Sequence, residues 1–454
     1  IIETAEFPKL ESMWVSTVDG TKNYAGYFSY CKHLKSFTAP LASIIPTQMF
    51  YSCSALSTLN MDRVESIGSN ALYGCSDLNY LRLPKVKSIG SEQFTGYSNF
   101  IHLELNGVES VGSYAFQNCN NLETVVMHSC VSIYRYGFSG CKKLYSIDFP
   151  NLVSIDAVAF ANTALVTVEL NNLTSATYIS PSGNTRGDHF YGCASLVNIT
   201  MKKLSYIQYQ MFMSCSMLTY IDAPLVNKIG YAAFSGCNLY SNITFPVLSS
   251  VLSESFAKCS GITSINLPSL TTVSSEAFAY CKNLKSVSLK NCTFIDVQAF
   301  YYCSSLKDIY LPNLTELANR AFAYTALTNI ELNSLTRVTT TKYSSIGTTG
   351  NHFQGCNLLV NVTMKKLSYI QYCMFLSCSQ LSYVDAPLVK SIEYQSFYGC
   401  NSYNNITFPL INSINSEAFY GNSAIMNIDF PSLTIVGSEA FAYCKNLKSV
   451  SLKN

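Results

Sequence analysis

Apolar residues recur along the chain with a period of 22 residues. Each unit follows L-x-x-I-x-L-P-x-L-x-x-I, then four residues, then F-x-x-C; one clean copy contains Ile265, Leu267, Pro268, Val273 and Phe278. The L-x-x-I-x-L segment alternates as a short strand does, and the following Pro ends ladder hydrogen bonding. The second apolar pair predicts another short extended segment, and the stretch SSEAFAYC suits a single helical turn.

The Phe of each unit, which we call the anchor, fixes the register. There are nineteen anchors, separated by 22 residues except for one gap of 30 and one of 31. In chain order they are Phe28, Phe50, Leu72, Phe94, Phe116, Phe138, Phe160, Phe190, Phe212, Phe234, Phe256, Phe278, Phe300, Phe322, Phe353, Phe375, Phe397, Phe419 and Phe441. So short a unit cannot bury its own apolar side, whereas stacked copies cover one another.

This pattern resembles the BspA-like, or Treponema-type, leucine-rich repeat family of surface proteins. The resemblance rests on LPSLTTVSSEAFAYCKNLKSVSL (267–289) and LPKVKSIGSEQFTGYSNF (83–100), and it covers essentially the whole chain. It implies a β-rich, α/β-type right-handed solenoid of about 19 coils, with one parallel strand per coil on the concave face and short turns or helical turns on the convex side. It also implies a secreted or cell-surface protein that attaches to host surfaces or matrix.

The units form a higher-order repeat. The interval from Phe28 to Phe190 equals that from Phe190 to Phe353 to within a single position, because a seven-unit block is copied with an insert near 174–189 and again near 336–352. No Gly/Ser or Pro linker separates the blocks, whose anchors lie near 28–189, 190–352 and, partially, 353–454. We therefore predict a single continuous solenoid domain over 1–454. The final unit stops before its anchor, so we expect further repeats or a cap to follow Asn454.

Charge and hydropathy narrow the possible partners. Lys plus Arg number 29 and Asp plus Glu 27, giving a formal charge of +2, so no basic excess points to nucleic acid. No apolar run approaches the roughly 18 residues of a membrane helix, so we predict no membrane insertion within this chain. Because 48% of residues are apolar, the chain can bury a large core.

Fifteen of the 18 Cys stand three residues after an anchor, where Tyr97, Thr163, Thr325 and Asn422 replace Cys in the other units. The pattern admits a disulfide ladder or a metal stack, but it favours a buried column of free thiols, since free Cys behaves as a small hydrophobe. No C-x-x-C occurs, and we expect neither a cofactor nor a metal. Cys373 fits no apolar slot and is expected to be the most reactive thiol.

The solvent-facing positions of the L-x-x-I-x-L strands, its third and fifth residues, predict an acidic ligand-binding face. Nine carboxylates stand there against one Arg, with lysines such as Lys202 and Lys365 placed after the strands. A Tyr beside an acid suits a basic protein segment or a sugar, while the plain alternative is that the acids only keep the face soluble. The candidates are Tyr80, Arg82, Glu104, Asp148, Glu169, Tyr220, Asp222, Asp308, Tyr310, Glu331, Tyr383, Asp385 and Asp429, with Glu6 and His102 at equivalent positions.

The inserts offer a second candidate surface, because loops on a rigid scaffold are common binding sites. It comprises Trp14, Tyr178, His189, Tyr343 and His352. His189 and His352 are equivalent, each directly before an anchor. They are candidates for a repeated ligand site, but the pattern favours a loop-closing role because no second His or paired carboxylate accompanies them.

Motifs for nucleotide binding, zinc-dependent hydrolysis and the nucleophile elbow do not occur in the sequence. We therefore predict a non-enzymatic extracellular binding or adhesion solenoid whose concave strand face and inserted loops bind a host or matrix protein, or a glycan. The alternatives are a structural spacer and an accessory repeat region of a larger surface protein.

Overall fold

The computed structural model describes residues 2–11, 13, 17–18, 21–22, 26–177, 187–239, 245–339, 341–343, 347–404 and 408–451. The chain divides into two compact units, Ile1–Leu225 and Val226–Asn454, which we call unit 1 and unit 2. Each is a parallel β-solenoid in which equivalent strands of successive coils pair in register. The prediction of one continuous domain stays a prediction.

Each coil of unit 1 contributes up to two strands. The three-residue strands form what we call the long-strand face, and the two-residue strands form a second, parallel series. The long strands are Thr4–Glu6, Ser36–Thr38, Thr58–Asn60, His102–Glu104, Thr124–Val126, Ser146–Asp148, Thr167–Glu169, Asn198–Thr200 and Tyr220–Asp222. The short strands are Ile44–Ile45, Ser66–Ile67, Ser88–Ile89, Ser110–Val111, Ser132–Ile133, Ser154–Ile155, Ser175–Ala176 and Tyr206–Ile207, and Thr17–Val18 pairs antiparallel with Thr21–Lys22.

Unit 2 repeats the arrangement. Its long strands are Ser264–Asn266, Ser286–Ser288, Asp308–Tyr310, Asn329–Glu331, Asn361–Thr363, Tyr383–Asp385, Asn427–Asp429 and Ser449–Ser451. Its short strands are Lys228–Ile229, Ser250–Val251, Thr272–Val273, Phe294–Ile295, Glu316–Leu317, Arg337–Val338, Tyr369–Ile370, Ser391–Ile392, Ser413–Ile414 and Ile435–Val436. An antiparallel hairpin, Thr341–Tyr343 with Gly347–Thr349, lies in its insert.

Register and burial follow the apolar alternation of the sequence. Equivalent residues pair across coils, as Leu103 pairs with Val125 and Val125 with Ile147. The middle residue of a long strand faces inward, so Leu103 and Val125 are buried, whereas His102 and Glu104 on either side are exposed. The prediction of inward apolar residues on the strands is confirmed.

The anchor segment consists of consecutive turns, and the described residues contain no helix. The residues two before and two after the anchor have left-handed backbone, for example Glu276 (φ 55) and Tyr280 (φ 60) around Phe278. Alternate amides donate to the next coil, as Phe278 N does to Ala299 O at 2.9 Å, so they cannot form helical bonds. Short turns, one of the two predicted forms, are therefore present rather than a helical turn. Among these residues no helix is long and apolar enough to cross a membrane.

The core of each unit is a stack of anchor rings. Phe116 and Phe138 lie 5.0 Å apart between ring centroids in unit 1, and Phe278 and Phe300 lie 5.4 Å apart in unit 2. The ring planes of these two pairs are nearly parallel, with interplanar angles of 5° and 8° respectively. The regular spacing of the anchors thus places each ring directly over the previous one, and the stack replaces the closed core of an ordinary globular domain.

Candidate functional site

The first and third residues of the long strands form two parallel columns of exposed side chains. In unit 1 the register places Glu104 beside Val126 and Val126 beside Asp148. Glu169, Thr200 and Asp222 form the third-position column further along. Tyr80 and Arg82 occupy the same places in a coil whose segment is not a strand, and Tyr80 is 63% exposed. The predicted residues of unit 1 are therefore brought onto one surface.

Several of these carboxylates contact a basic residue on the turn of the preceding coil. His128 Nε2 lies 2.9 Å from Asp148 Oδ2, and Lys202 Nζ lies 3.7 Å from Asp222 Oδ2. In unit 2, Lys365 pairs with Asp385. Each base precedes its acid by 20 residues, a spacing that the coil geometry converts into contact. The lysines that follow the strands therefore lie close to acids, because each coil returns the chain to the next strand.

Arg82 has the same spacing to its partner, but here the acid comes first: Asp62 precedes Arg82 by 20 residues, and Arg82 Nε lies 3.8 Å from Asp62 Oδ1. Where the equivalent position of the preceding coil holds the repeat's Pro, no base is available. Pro84 and Pro409 stand there for Glu104 and Asp429. Among the described residues these two acids form no ion pair, although Asn106 Nδ2 donates to Glu104 Oε1 at 2.9 Å.

The carboxylates of Glu169 and Glu331 are likewise exposed and form no ion pair with described residues. Each of these two coils is one residue shorter than a regular coil. The residue of the preceding coil that corresponds to the paired base is again a Pro, namely Pro150 for Glu169 and Pro312 for Glu331. Asp308 likewise forms no ion pair with a described residue, and it stands at the first position of its strand, whereas the paired acids stand at the third. The long-strand faces of the two units thus carry two kinds of acid: some contact a base on the preceding coil, and others form no ion pair with a described residue.

A groove lies on the long-strand face of unit 2. It has a volume of about 700 Å³ and crosses four coils, from Ser264–Asn266 to Asn329–Glu331. Its lining includes the predicted residues Asp308, Tyr310 and Glu331. The other predicted residues of unit 2, Tyr383, Asp385 and Asp429, lie on the same face outside the groove.

The two insert histidines are fully buried. Nε2 of His189 donates to Thr177 O at 3.2 Å, and Nε2 of His352 donates to Thr339 O at 3.1 Å. Each ring therefore joins the last coil residue before the insert to the first coil after it, while Nδ1 has no partner among the described residues. Desolvation lowers the pKa of each imidazole to about 4, so both rings are neutral near pH 7. This geometry supports the loop-closing interpretation over a ligand site.

The sequence also predicts three aromatic residues on the inserts. Trp14 and Tyr178 lie outside the described residues, and Tyr343 is described only by its backbone, at the end of Thr341–Tyr343. Among the residues that the structure describes, no group of three or more His, Cys, Asp and Glu could hold a metal ion.

The cysteines that follow the anchors form a column in the core, and no disulfide joins them. Most of these thiols donate to the carbonyl of the anchor in the preceding coil, as Cys281 Sγ does to Phe256 O at 3.1 Å. Desolvation raises the pKa of Cys281 to about 12. Asn422 makes the same contact through Nδ2, to Phe397 O at 2.9 Å, which explains why Cys can be replaced there by another small donor. The column is part of the core rather than a reactive site.

Sequence reasoning missed two features of the surface. The first is the small polar floor of the groove, at Ser264, Asn266, Ser286 and Ser288. Two successive strands without a large side chain at either outward position were the available signal. The second is a ring stack on the turn side, where Tyr302 lies 5.6 Å from Tyr280 and 4.4 Å from Tyr324 between ring centroids. The sequence signal for this stack is a Tyr two residues after each of three consecutive anchors.

Comparison with known proteins places these features in a family. The family model for the BspA type leucine rich repeat region matches residues 21–134, 109–240, 227–348 and 344–454. No curated protein matches the chain.

Several solved structures with similar coils come from bacteria. A leucine-rich repeat protein from Bacteroides ovatus is 24% identical, with 76% of this chain and 82% of that chain covered and a TM-score of 0.49. A leucine rich cell surface protein from Faecalibacterium prausnitzii is 18% identical, with 81% and 83% covered and a TM-score of 0.33. The pneumococcal vaccine antigen PcpA is 16% identical, with 76% and 85% covered and a TM-score of 0.35.

Proposed function

The chain belongs to the BspA-type leucine-rich repeat family, and from that premise we propose that it is a non-enzymatic binding protein of the cell surface or extracellular space. Its long-strand face, which the sequence predicts to be concave, is the main binding surface, and the inserts contribute to its rim. The partner is a host or matrix protein, or a glycan. Leucine-rich repeat folds commonly serve as rigid scaffolds for such interactions.

The observation that carries this proposal is the exposure of large aromatic rings on the long-strand face. Tyr220, Tyr310 and Tyr383 are 54%, 56% and 38% exposed, respectively. The equivalent positions in most other coils hold Ser, Thr or Asn, which are enough to keep a strand face soluble. Tyr gives a large contact area with a polar tip and is enriched at binding interfaces. These rings therefore fit recognition better than solubility.

Three of the five histidines have structural roles that favour a function other than catalysis. A general acid or base must reach its substrate, and His189 and His352 are fully enclosed by the coils. His128 is accessible, but its ring is held by Asp148 on a regular strand face. These rings have structural partners, which fits a binding scaffold.

Binding by this face can be tested with a triple variant, Tyr220→Ser, Tyr310→Ser and Tyr383→Ser. The full chain is presented to immobilised matrix proteins and to a glycan array, and each interaction found is measured again with the variant. The matched control replaces three exposed tyrosines away from this face, Tyr30, Tyr134 and Tyr443, with Ser. We expect the first variant to lose binding and the control to keep it.

The outcome separates the proposed function from its rivals. A ligand that binds both variants equally would show that the long-strand face is not the binding surface. A protein that binds no probe on either array would instead favour the structural spacer. Circular dichroism and thermal unfolding of both variants establish that the comparison is between folded proteins.

A further inference from the structure

The groove of unit 2 arises from a step in side-chain size along the long-strand face. Ser264, Ser286 and Asp308 align in the first column, and Asn266, Ser288 and Tyr310 align in the third. Two coils of small residues therefore lie directly beside a coil with two large ones. With strands about 4.8 Å apart, the floor and its walls extend over about 15 Å, enough for a short oligomer.

The groove offers mostly neutral groups that both donate and accept hydrogen bonds. Its floor and far edge present the hydroxyls and amides of Ser264, Asn266, Ser286, Ser288, Asn329 and Asn333. Only Lys307, Asp308 and Glu331 are charged, so one base faces two acids. Hydroxyl and amide groups match the hydroxyls of a sugar, which also donate and accept. A strongly basic peptide would meet Lys307 and few carboxylates.

Tyr310 and Asp308 supply the two contacts that give a sugar its orientation. The Tyr310 ring is 56% exposed and stands at the wall of the groove, where the apolar face of a pyranose ring can lie against it. Asp308, on the same strand, is exposed and forms no ion pair or side-chain hydrogen bond with described residues. A carboxylate accepting from a sugar hydroxyl makes a charge-assisted hydrogen bond.

Two other Tyr–Asp pairs occur, one on the long-strand face of each unit, and they differ from this pair in the partner of the acid. At Tyr220/Asp222 and Tyr383/Asp385 the acid is already held by Lys202 or Lys365. The acids of these two pairs are only partly exposed, at 30% for the Asp222 side chain and 23% for the Asp385 side chain. A ligand would have to displace a lysine there, whereas Asp308 is free to accept. Asp308 is therefore the acid of these three pairs that can bond a ligand without displacing a lysine.

We propose that this groove binds a neutral oligosaccharide, with Tyr310 stacking on a sugar ring and Asp308 and Glu331 accepting hydrogen bonds from its hydroxyls. This inference rests on the proposed function and specifies the class of ligand that the groove of unit 2 binds.

The test uses the full chain and defined probes: neutral oligomers of glucose, mannose, galactose and N-acetylglucosamine, and a Lys/Arg-rich peptide. Binding is measured by calorimetry at low and high NaCl for each probe. We expect at least one neutral oligomer to bind with an affinity that salt leaves unchanged, because screening weakens only interactions between charges. Tyr310→Ala and Asp308→Asn should each weaken it about tenfold, the effect of losing a stacked ring or a charge-assisted bond.

The controls are Tyr134→Ala and Asp77→Asn, two exposed residues outside the groove and outside the long strands, which should leave affinity for that oligomer unchanged. Binding of an oligomer that is insensitive to Tyr310 and Asp308 would overturn the groove assignment and leave the proposed function intact. Binding of only the basic peptide, or only a matrix protein, would overturn the sugar assignment in the same way. No binding by any of these oligomers would overturn the sugar assignment alone, because the matrix-protein and glycan arrays test the proposed function separately. Unchanged thermal unfolding of each variant confirms that the fold is retained.

Discussion

His189 and His352 show how one buried residue makes folding depend on pH. Each ring stays neutral in the folded protein because burial lowers its pKa to about 4, whereas an unfolded histidine titrates near 6.5. Between these values the unfolded state binds the extra proton, so stability is complete above about pH 6.5 and falls as the pH drops. At about pH 5 the loss is on the order of 2 kcal/mol for each histidine.

The corresponding variant is His189→Gln with His352→Gln, since Gln can still donate to the Thr177 and Thr339 carbonyls. We expect chemical denaturation at pH 8 and pH 5 to show a smaller pH-dependent loss of stability in this variant than in the native protein. His33→Gln, on an exposed side chain, is the matched control and should change nothing. Equal pH dependence in all three proteins would contradict the loop-closing role.

Cys31 is the thiol that we expect to react first. It is the one cysteine that is not buried, whereas Cys373 is only 8% exposed and its pKa is raised to about 11. Cys373 stands at a left-handed turn position with Sγ facing Gln395 Oε1 at 3.7 Å, which the apolar pattern did not reveal. Alkylation of the folded protein followed by peptide mass spectrometry should label Cys31, and Cys31→Ser should abolish the early label. Early labelling at Cys373 would support the expectation from sequence instead.

At the scale of the element, the turn after each anchor depends on what stands in its left-handed position. Gly355 (φ +70) lies under Tyr324, and a Cβ there would lie 2.6 Å from two ring carbons. Gly421 (φ +78) has the same backbone with open space around it. Both Gly→Ala changes cost about 1 kcal/mol for the backbone, and Gly355→Ala should cost about 1 to 2 kcal/mol more.

Thermal and denaturant unfolding of the two variants measure this difference. Adding Tyr324→Ala to Gly355→Ala should remove the extra cost, because the clash is with that ring alone. Equal destabilisation by Gly355→Ala and Gly421→Ala would show that the ring moves aside freely.

The insert of unit 2 is predicted to be removable without loss of the coil. Deleting 340–349 joins Thr339 to Gly350, which restores the spacing between Val338 and Phe353 that a regular coil has, and keeps the bond from His352 to Thr339. Loop length contributes only weakly to stability, so Tm should change by a few degrees or less. Deleting 336–345, of equal length, removes the strand Arg337–Val338 and should unfold the surrounding coils. Similar melting of the two deletions would contradict this register.

At the scale of the whole molecule, none of the 18 cysteines forms a disulfide, so folding requires no oxidant. We expect refolding from denaturant to give the same yield and the same circular dichroism with and without a thiol reductant. The cost of breaking a native disulfide is typically about 2 to 5 kcal/mol, which would be visible at once. A loss of structure in reductant would therefore show that some thiols pair.

The coil could be predicted from sequence because its signals are local and repeated. Phe at one position and Ile at another fix the register, and the structure confirms the inward middle residue of the strands. The acidic face was predicted less well, because the contact of Lys202 with Asp222 joins residues on successive coils and requires the exact return of the chain. The groove forms because Ser286 and Ser288 are small and lie beside the large side chain of Tyr310 on the next strand. Examining outward residues one at a time does not reveal such a difference in size between neighbouring strands.

The ladder between long strands also sets how each unit responds to force. Its hydrogen bonds join one coil to the next, as Ser286–Ser288 joins Asp308–Tyr310. A force along the axis of the solenoid therefore breaks the hydrogen bonds between one pair of coils before those of the next. A terminal coil then peels away while its neighbours remain folded, and each regular coil lengthens the chain by about 75 Å. The longer coil that carries the insert, from Phe322 to Phe353, releases about 105 Å. In the proposed binding role, a solenoid built this way would yield in small steps under tension and so would protect the bond to its partner from sudden rupture.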